Sequence, residues 1–190
     1  PQDNAVLVQQ MLTLLSNLPL PQVLAAAAAA AAANNADGDD IIDSDLNNLV
    51  RDYCRIMTEM GESYLSWILN CSSSSSTEQQ DAAFHLVDWV LLFASQIADA
   101  EVAGITLHFW YRMVMDLEGM EPMQRRQDLI DLYSARLLQF VSVCVQNLMK
   151  FPADIANIPN DQMEEINRHR VHVSESVEDC CRLLGGHVVL

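Results

Sequence analysis

The stretch EVAGITLHFWYRMVMDLE, residues 101–118, sets three consecutive aromatics and an arginine in one helical turn, and its periodicity decides the fold. At 100° per residue, Glu101, His108, Arg112, Met115 and Asp116 share one narrow strip. Val102, Ala103, Thr106, Leu107, Phe109, Trp110, Met113, Val114 and Leu117 fill an arc of roughly 200° on the same geometry. A helix on the surface of a globular domain needs an apolar stripe only about half that wide. An arc of this width needs cover from a pair-mate and from neighbours on both sides, which is the situation of a helix inside an α-solenoid. Phe109 and Trp110 are therefore expected to be packing residues. Tyr111 falls at the boundary, where a ring packs while its hydroxyl stays wet. Arg112 faces outward, free for Asp116 at i+4 or for a partner. Gly104, with no side chain, lets another helix approach closely.

Outward from this stretch, the chain reads almost entirely as helix at period 3.6, with no alternating strand. A first helix, Asn4 to Asn17, is closed by Pro19 and Pro21. Gln22 to Ala33 ends in nine consecutive alanines, Ala25 to Ala33, and reads as a low-complexity extension of a helix or a disordered insert. The acidic segment NNADGDDIIDSD follows as a loop. It lacks the twelve-residue calcium frame with its terminal glutamate, and Asp43, Ser44 and Asp45 read as N-caps to a helix starting near Leu46. That helix is expected to run unbroken to about Asn70, and the serines 72–76 to form a flexible linker. Low-complexity or flexible segments are thus placed near residues 25–45 and 71–78. Further helices are expected over Glu78 to Ala98, over the aromatic stretch, from about Met123 to Lys150, and from near Asp161 onward. Helices in pairs joined alternately by short and longer connections have the organisation of HEAT-like repeats. Self-similarity at a fixed period is weak, so periodicity alone leaves a helical bundle open.

The 190 residues carry 26 carboxylates against 10 basic side chains, a net charge of −16. Nucleic acid and anionic membranes are disfavoured partners, because both need clustered cations. A basic protein would be attracted instead, at a rate that falls with salt. No uninterrupted run of about 20 apolar residues is present to span a membrane. The five cysteines, Cys54, Cys71, Cys144, Cys180 and Cys181, are odd in number and form no C-x-x-C pair, which points to free thiols in a reducing compartment. The start at Pro1 and the apolar end GGHVVL make the chain read as an internal piece of a longer protein.

The helix before the aromatic stretch has a core stripe of Phe84, Val87, Leu91, Ala94 and Ala98. Its more polar side carries His85, Asp88, Gln96 and Asp99, with Trp89 and Leu92 nearby. In a solenoid this helix lines the concave surface, so His85, Asp88, Gln96, Asp99 and the outward Arg112 are the candidate partner-binding residues. Enzymatic chemistry finds no support. Glu165 and His169 at i, i+4 with His172 following form no H-E-x-x-H frame and have no further ligand of convincing type nearby, Cys180–Cys181 has no His/Asn context, and no phosphate loop or nucleophile elbow occurs. No catalytic residue, metal or cofactor is assigned, and Cys180–Cys181 is expected as a helical pair with one member half exposed.

The segments RDYCRIMTEMGESYLSWIL and EVAGITLHFWYRM together resemble the middle of the transportin-SR branch of the importin-β (karyopherin-β) family, with its "YCRIFTELCE"-type and "EV..I..NFWYRL"-type helices. QDLIDLYSARLLQFV and INRHRVHVSESVEDC resemble the helices that follow, with Arg170, Val171, Ser174 and Val177 at corresponding places. The resemblance runs from about Asp45 to Leu184. It implies a central section of a HEAT-repeat superhelix in a nuclear import receptor that shuttles between cytoplasm and nucleus. It also implies basic or Arg/Ser-rich protein cargo, contacts with nucleoporins, and release by Ran-GTP bound mainly through repeats outside this piece. The alanine tract and acidic loop have no place in the family pattern. The family's arginine-bearing, cargo-reading helix lies further on, so no cargo-reading residue is carried over. The alternative is a HEAT-like scaffold unrelated to nuclear transport. Ran-GTP binding by the intact protein separates the two.

Overall fold

The computed structural model describes residues 6–11, 14, 40–74, 77–95, 100–152 and 155–186. The alanine tract, the glycine turn of the acidic loop, and Gln96 to Asp99 lie outside them. The described residues form helices and connections without a strand: α1 (Asp40–Ser63), α2 (Leu65–Ser74), α3 (Thr77–Ala94), α4 (Ala100–Glu118), α5 (Met123–Val143), a π-helical turn (Cys144–Leu148), a 3₁₀ turn (Ile155–Asn157) and α6 (Asn160–Leu184). The fold is all-α, of the α-solenoid class. It divides into two compact units, residues 1–90 and 91–190.

In the first unit, α1 begins at Asp40, so the expected caps at Asp43 to Asp45 fall inside the helix. The single helix expected to reach Asn70 is interrupted at Tyr64. Hydrogen bonds from Tyr64 N to the Met60 carbonyl (3.0 Å) and from Ile68 N to the Tyr64 carbonyl (2.9 Å) carry the backbone ladder across. Gly61 and Ser63 immediately precede the break, the residue types at which helices give way when no proline is present. The linker expected over the serines is shorter than their run, because α2 continues through Ser74 and α3 starts at Thr77. Leu65, Ile68, Leu69 and Cys71 are all buried and hold this helix by its apolar face, which outweighs the middling helix propensity of serine.

In the second unit, α4 packs most heavily on α6, and α5 packs on both. The direction of the helices follows from their contacts. Gly104, early in α4, faces His169 in the first half of α6, and Glu118 at the end of α4 meets Arg182 near the end of α6. These two helices therefore run parallel. Between α5 and α6 the order reverses. Cys144 lies within electrostatic reach of Cys180, and Phe151, seven residues later, meets Arg170, ten residues earlier. A helix antiparallel to its successor and parallel to the next but one is the wiring of stacked helix pairs.

The ends of these elements follow local chemistry. Gly119 and Pro122 bound the short turn between α4 and α5, where Met120 N donates to the Leu117 carbonyl (3.3 Å). The α5 pattern, expected to reach Lys150 as α-helix, changes to a π turn at Cys144, closed by Met149 N on the Cys144 carbonyl (2.9 Å). Gly185 ends α6 at φ 85°, a left-handed conformation in which a side chain is strained.

Candidate functional site

The wide arc of α4 is filled as its periodicity predicts. Val102, Ala103, Thr106, Phe109, Trp110, Met113, Val114 and Leu117 are buried, and Leu107 is half-buried. Trp110 has no exposed surface and lies stacked on Phe140 of α5, with centroids 4.5 Å apart and planes at 15°. Phe109 meets it edge-on at 5.2 Å. Thr106, the polar member of the buried set, donates its hydroxyl to the Ala103 carbonyl (2.8 Å) and so brings no unmatched group into the core. The indole N–H of Trp110 has no hydrogen-bond partner among the described residues. Aromatics that lie in a core cannot serve as a stacking platform, so Phe109 and Trp110 form a wedge between helices.

What α4 leaves outside is its narrow strip: His108, Tyr111, Arg112 and Met115 are exposed. The rings of His108 and Tyr111 lie 6.4 Å apart, and Tyr111 is 47% exposed, which places it further out than a packed ring. Arg112 and Asp116 form no ion pair among the described residues. The order of charges explains this, since a cation N-terminal to the anion at i, i+4 is the weaker arrangement. Tyrosine, arginine and methionine on one exposed helical face have the composition of an interface centre.

On α3 the expected division holds in part, with Ala98 outside the described residues. His85 and Asp88 are exposed, Trp89 is half-buried, and Leu92 further along the helix is 37% exposed. Val87, Leu91 and Ala94 are buried, while Phe84 is only half-buried. Leu86, Val90 and Phe93 are also fully buried, so the buried face is wider than the stripe read from the sequence. His85 and Asp88 sit about one turn apart on one face of the first unit, and Arg112 belongs to the second unit. Gln96 and Asp99 lie outside the described residues.

Reactive side chains are mostly put out of use by burial. Cys54, Cys71, Cys144 and Cys180 are buried, while Cys181 is half-buried, and all five thiols are free. Burial pushes the Cys144 thiol up to about 12 and the Cys180 thiol higher still, so neither is a thiolate at neutral pH. His169 packs its ring against the bare backbone of Gly104, with Nε2 buried and unpartnered. Burial, with help from the charge of His172, holds its pKa below the usual histidine value. Among the described residues no three metal-binding side chains converge, and no helix is long and apolar enough to cross a membrane.

Residues 45–144, just over half of the chain, match the family model of the Transportin-3/Importin-13 second TPR domain. The chain belongs to the importin-β family of nuclear import receptors. No curated protein and no solved structure matches it. The matched region runs from within α1 to the end of α5 of this karyopherin, so His85, Asp88 and the whole α4 strip lie inside it. Both TPR and HEAT repeats are stacks of antiparallel helix pairs, and the pairing in the second unit is of that kind. α6 lies beyond the match. At its first half Arg170 meets Phe151 of the preceding connection, a pair not singled out as a site from the sequence, with the guanidinium carbon 3.5 Å from the centre of the ring. The only sequence signal was Phe151–Pro152 in a connection, an aromatic where a loop ordinarily carries polar residues.

Proposed function

We propose that this karyopherin section belongs to the transportin-SR branch and forms part of the arch that holds basic, Arg/Ser-rich proteins. On this reading cargo is loaded in the cytoplasm and released in the nucleus when Ran-GTP binds, mainly through repeats other than these. The chain has no catalytic role, acts as a protein-binding surface, and shuttles with its receptor through contacts with nucleoporins. The observation that carries the reading is the family match, joined to an exposed acidic helix face at His85 and Asp88 on a chain of net charge −16. Such a surface attracts cationic segments through long-range charge and holds them by local pairing.

The test is fluorescence anisotropy of a labelled Arg/Ser-rich peptide against the chain, repeated at rising salt. The expected result is binding that weakens with salt and is reduced severalfold by Asp88→Lys, with an unchanged melting temperature because Asp88 is exposed. Equal affinity of Asp88→Lys and the parent at low salt removes this face from the site. The receptor reading itself is checked by Ran-GTP, which should bind the intact receptor and displace the peptide from it; a receptor indifferent to Ran-GTP refutes it.

A further inference from the structure

Phe151 lies in the connection between α5 and α6, next to the exposed Lys150 and Pro152, and is itself 45% exposed. Arg170 reaches across from α6 and sets its guanidinium carbon over that ring, 3.5 Å from its centre. A cation–π contact of this kind engages the guanidinium without consuming its N–H donors. Arg170 makes no ion pair among the described residues; its Nε is buried without a partner, while the residue as a whole is only half-buried. Nor does its own helix supply an anion. The residues one turn to either side of Arg170 on α6 are Ile166, Asn167, Val173 and Ser174. In a chain with 26 carboxylates, a cation with no anion one turn away on its own helix stands out. Of the ten basic residues, all but Arg51 and Arg55 lie in the second unit, and Lys150 sits directly beside this pair.

A stack whose only task is to fasten the connection to α6 would bury the ring. Here a large part of the ring stays open beside two cations. An arginine fixed by an aromatic is oriented in advance, so a carboxylate meets a fork of donors whose freedom is already restricted. We propose that Phe151, Arg170 and Lys150 form a docking point for an acidic segment of a partner protein. A carboxylate of that segment pairs with the terminal N–H donors of Arg170, and a second is held by Lys150. An apolar or aromatic side chain between them rests on the open part of Phe151. This partner is distinct from the basic cargo proposed above, which the same cations repel, and the surface lies outside the matched region 45–144.

The experiment measures binding of a short labelled peptide, glutamates around a central phenylalanine, to the chain at low salt by fluorescence anisotropy. The peptide is expected to bind, more weakly as salt rises. Arg170→Gln should lower affinity about tenfold, the effect of one lost charge-assisted pair. Lys150→Gln should have a smaller effect. Arg170→Lys should fall in between, because it keeps the charge and loses the planar fork. Phe151→Ser should weaken binding, and Phe151→Tyr, which preserves the stack, should retain it even where the serine variant folds poorly. Arg168→Gln is the control, since it removes the same charge two residues away, on another side of α6, and should leave affinity unchanged. An equal loss in Arg168→Gln would show diffuse attraction and overturn the proposal. So would absence of peptide binding at low salt, or a single-stranded oligonucleotide binding in preference to the peptide. Binding of the Arg/Ser-rich peptide to Arg170→Gln should be undiminished, which separates this site from the cargo reading.

Discussion

Trp110 shows how a residue with the chemistry of a binding site becomes a core residue. It stacks on Phe140, receives the edge of Phe109, and has no exposed surface. Trp110→Ala should therefore destabilise the chain by about 3–5 kcal/mol, as large-to-small core changes do. Thermal or urea unfolding measures it, and a nearly unchanged midpoint would mean the ring is not in the core. Trp110→Phe is expected to cost about 1 kcal/mol or less, because the lost ring area is offset by removal of a buried N–H that has no acceptor. Gly104 makes the opposite case. A methyl group there would lie 3.5 Å from His169 Cε1, an ordinary contact, so the close approach does not require glycine. Gly104→Ala should stabilise by about 0.5–1 kcal/mol through helix propensity, and a lowered melting temperature would show that α4 and α6 approach more tightly than this contact. That Gly104 faces another helix was legible from its place in the apolar arc. That alanine also fits there was not, since it depends on the position of a single histidine carbon.

The α4–α6 contact ties stability to pH through His169. Its pKa is lowered by burial first and by His172 second. Above about pH 6.5 the histidine is neutral in both folded and unfolded chains, and the contact keeps its full strength. As pH falls below that value the unfolded chain takes up the proton first, so stability declines until the folded histidine titrates as well. Denaturant midpoints taken between about pH 7.5 and 5.5 should therefore fall. His169→Asn should flatten that part of the curve; an unaltered slope would assign it to other groups. Element boundaries were readable to different degrees. The starts of α4, α5 and α6 followed from Pro122, Pro159 and the apolar pattern, and the structure places them within a few residues. The break at Tyr64 and the π turn at Cys144 were not readable. Neither carries a proline, and the apolar spacing continues through both.

Over the whole chain, burial sorts the cysteines into reactive and inert. Cys181, half-buried, should react with a thiol reagent in the native state, whereas Cys54, Cys71, Cys144 and Cys180 should react only on unfolding. Titration with a chromogenic disulfide, with and without denaturant, counts the two classes, and rapid modification of more than one thiol in the native state would contradict the buried placement. The sequence by itself determined the all-α class and the family, and it favoured helix pairs while leaving a bundle open. Those rest on periodicity, helix-breaking residues and the YCRI and HFWYR segments, all of which are local and survive without knowledge of neighbours. It also placed His85, Asp88 and Arg112 outward, because a helix of known period has only one polar side. The meeting of Arg170 with Phe151, the stacking of Trp110 on Phe140, and the parallel course of α4 and α6 were decided only by the tertiary structure. Each joins residues far apart along the chain, and no pattern within one helix states which other helix will fill the space beside it.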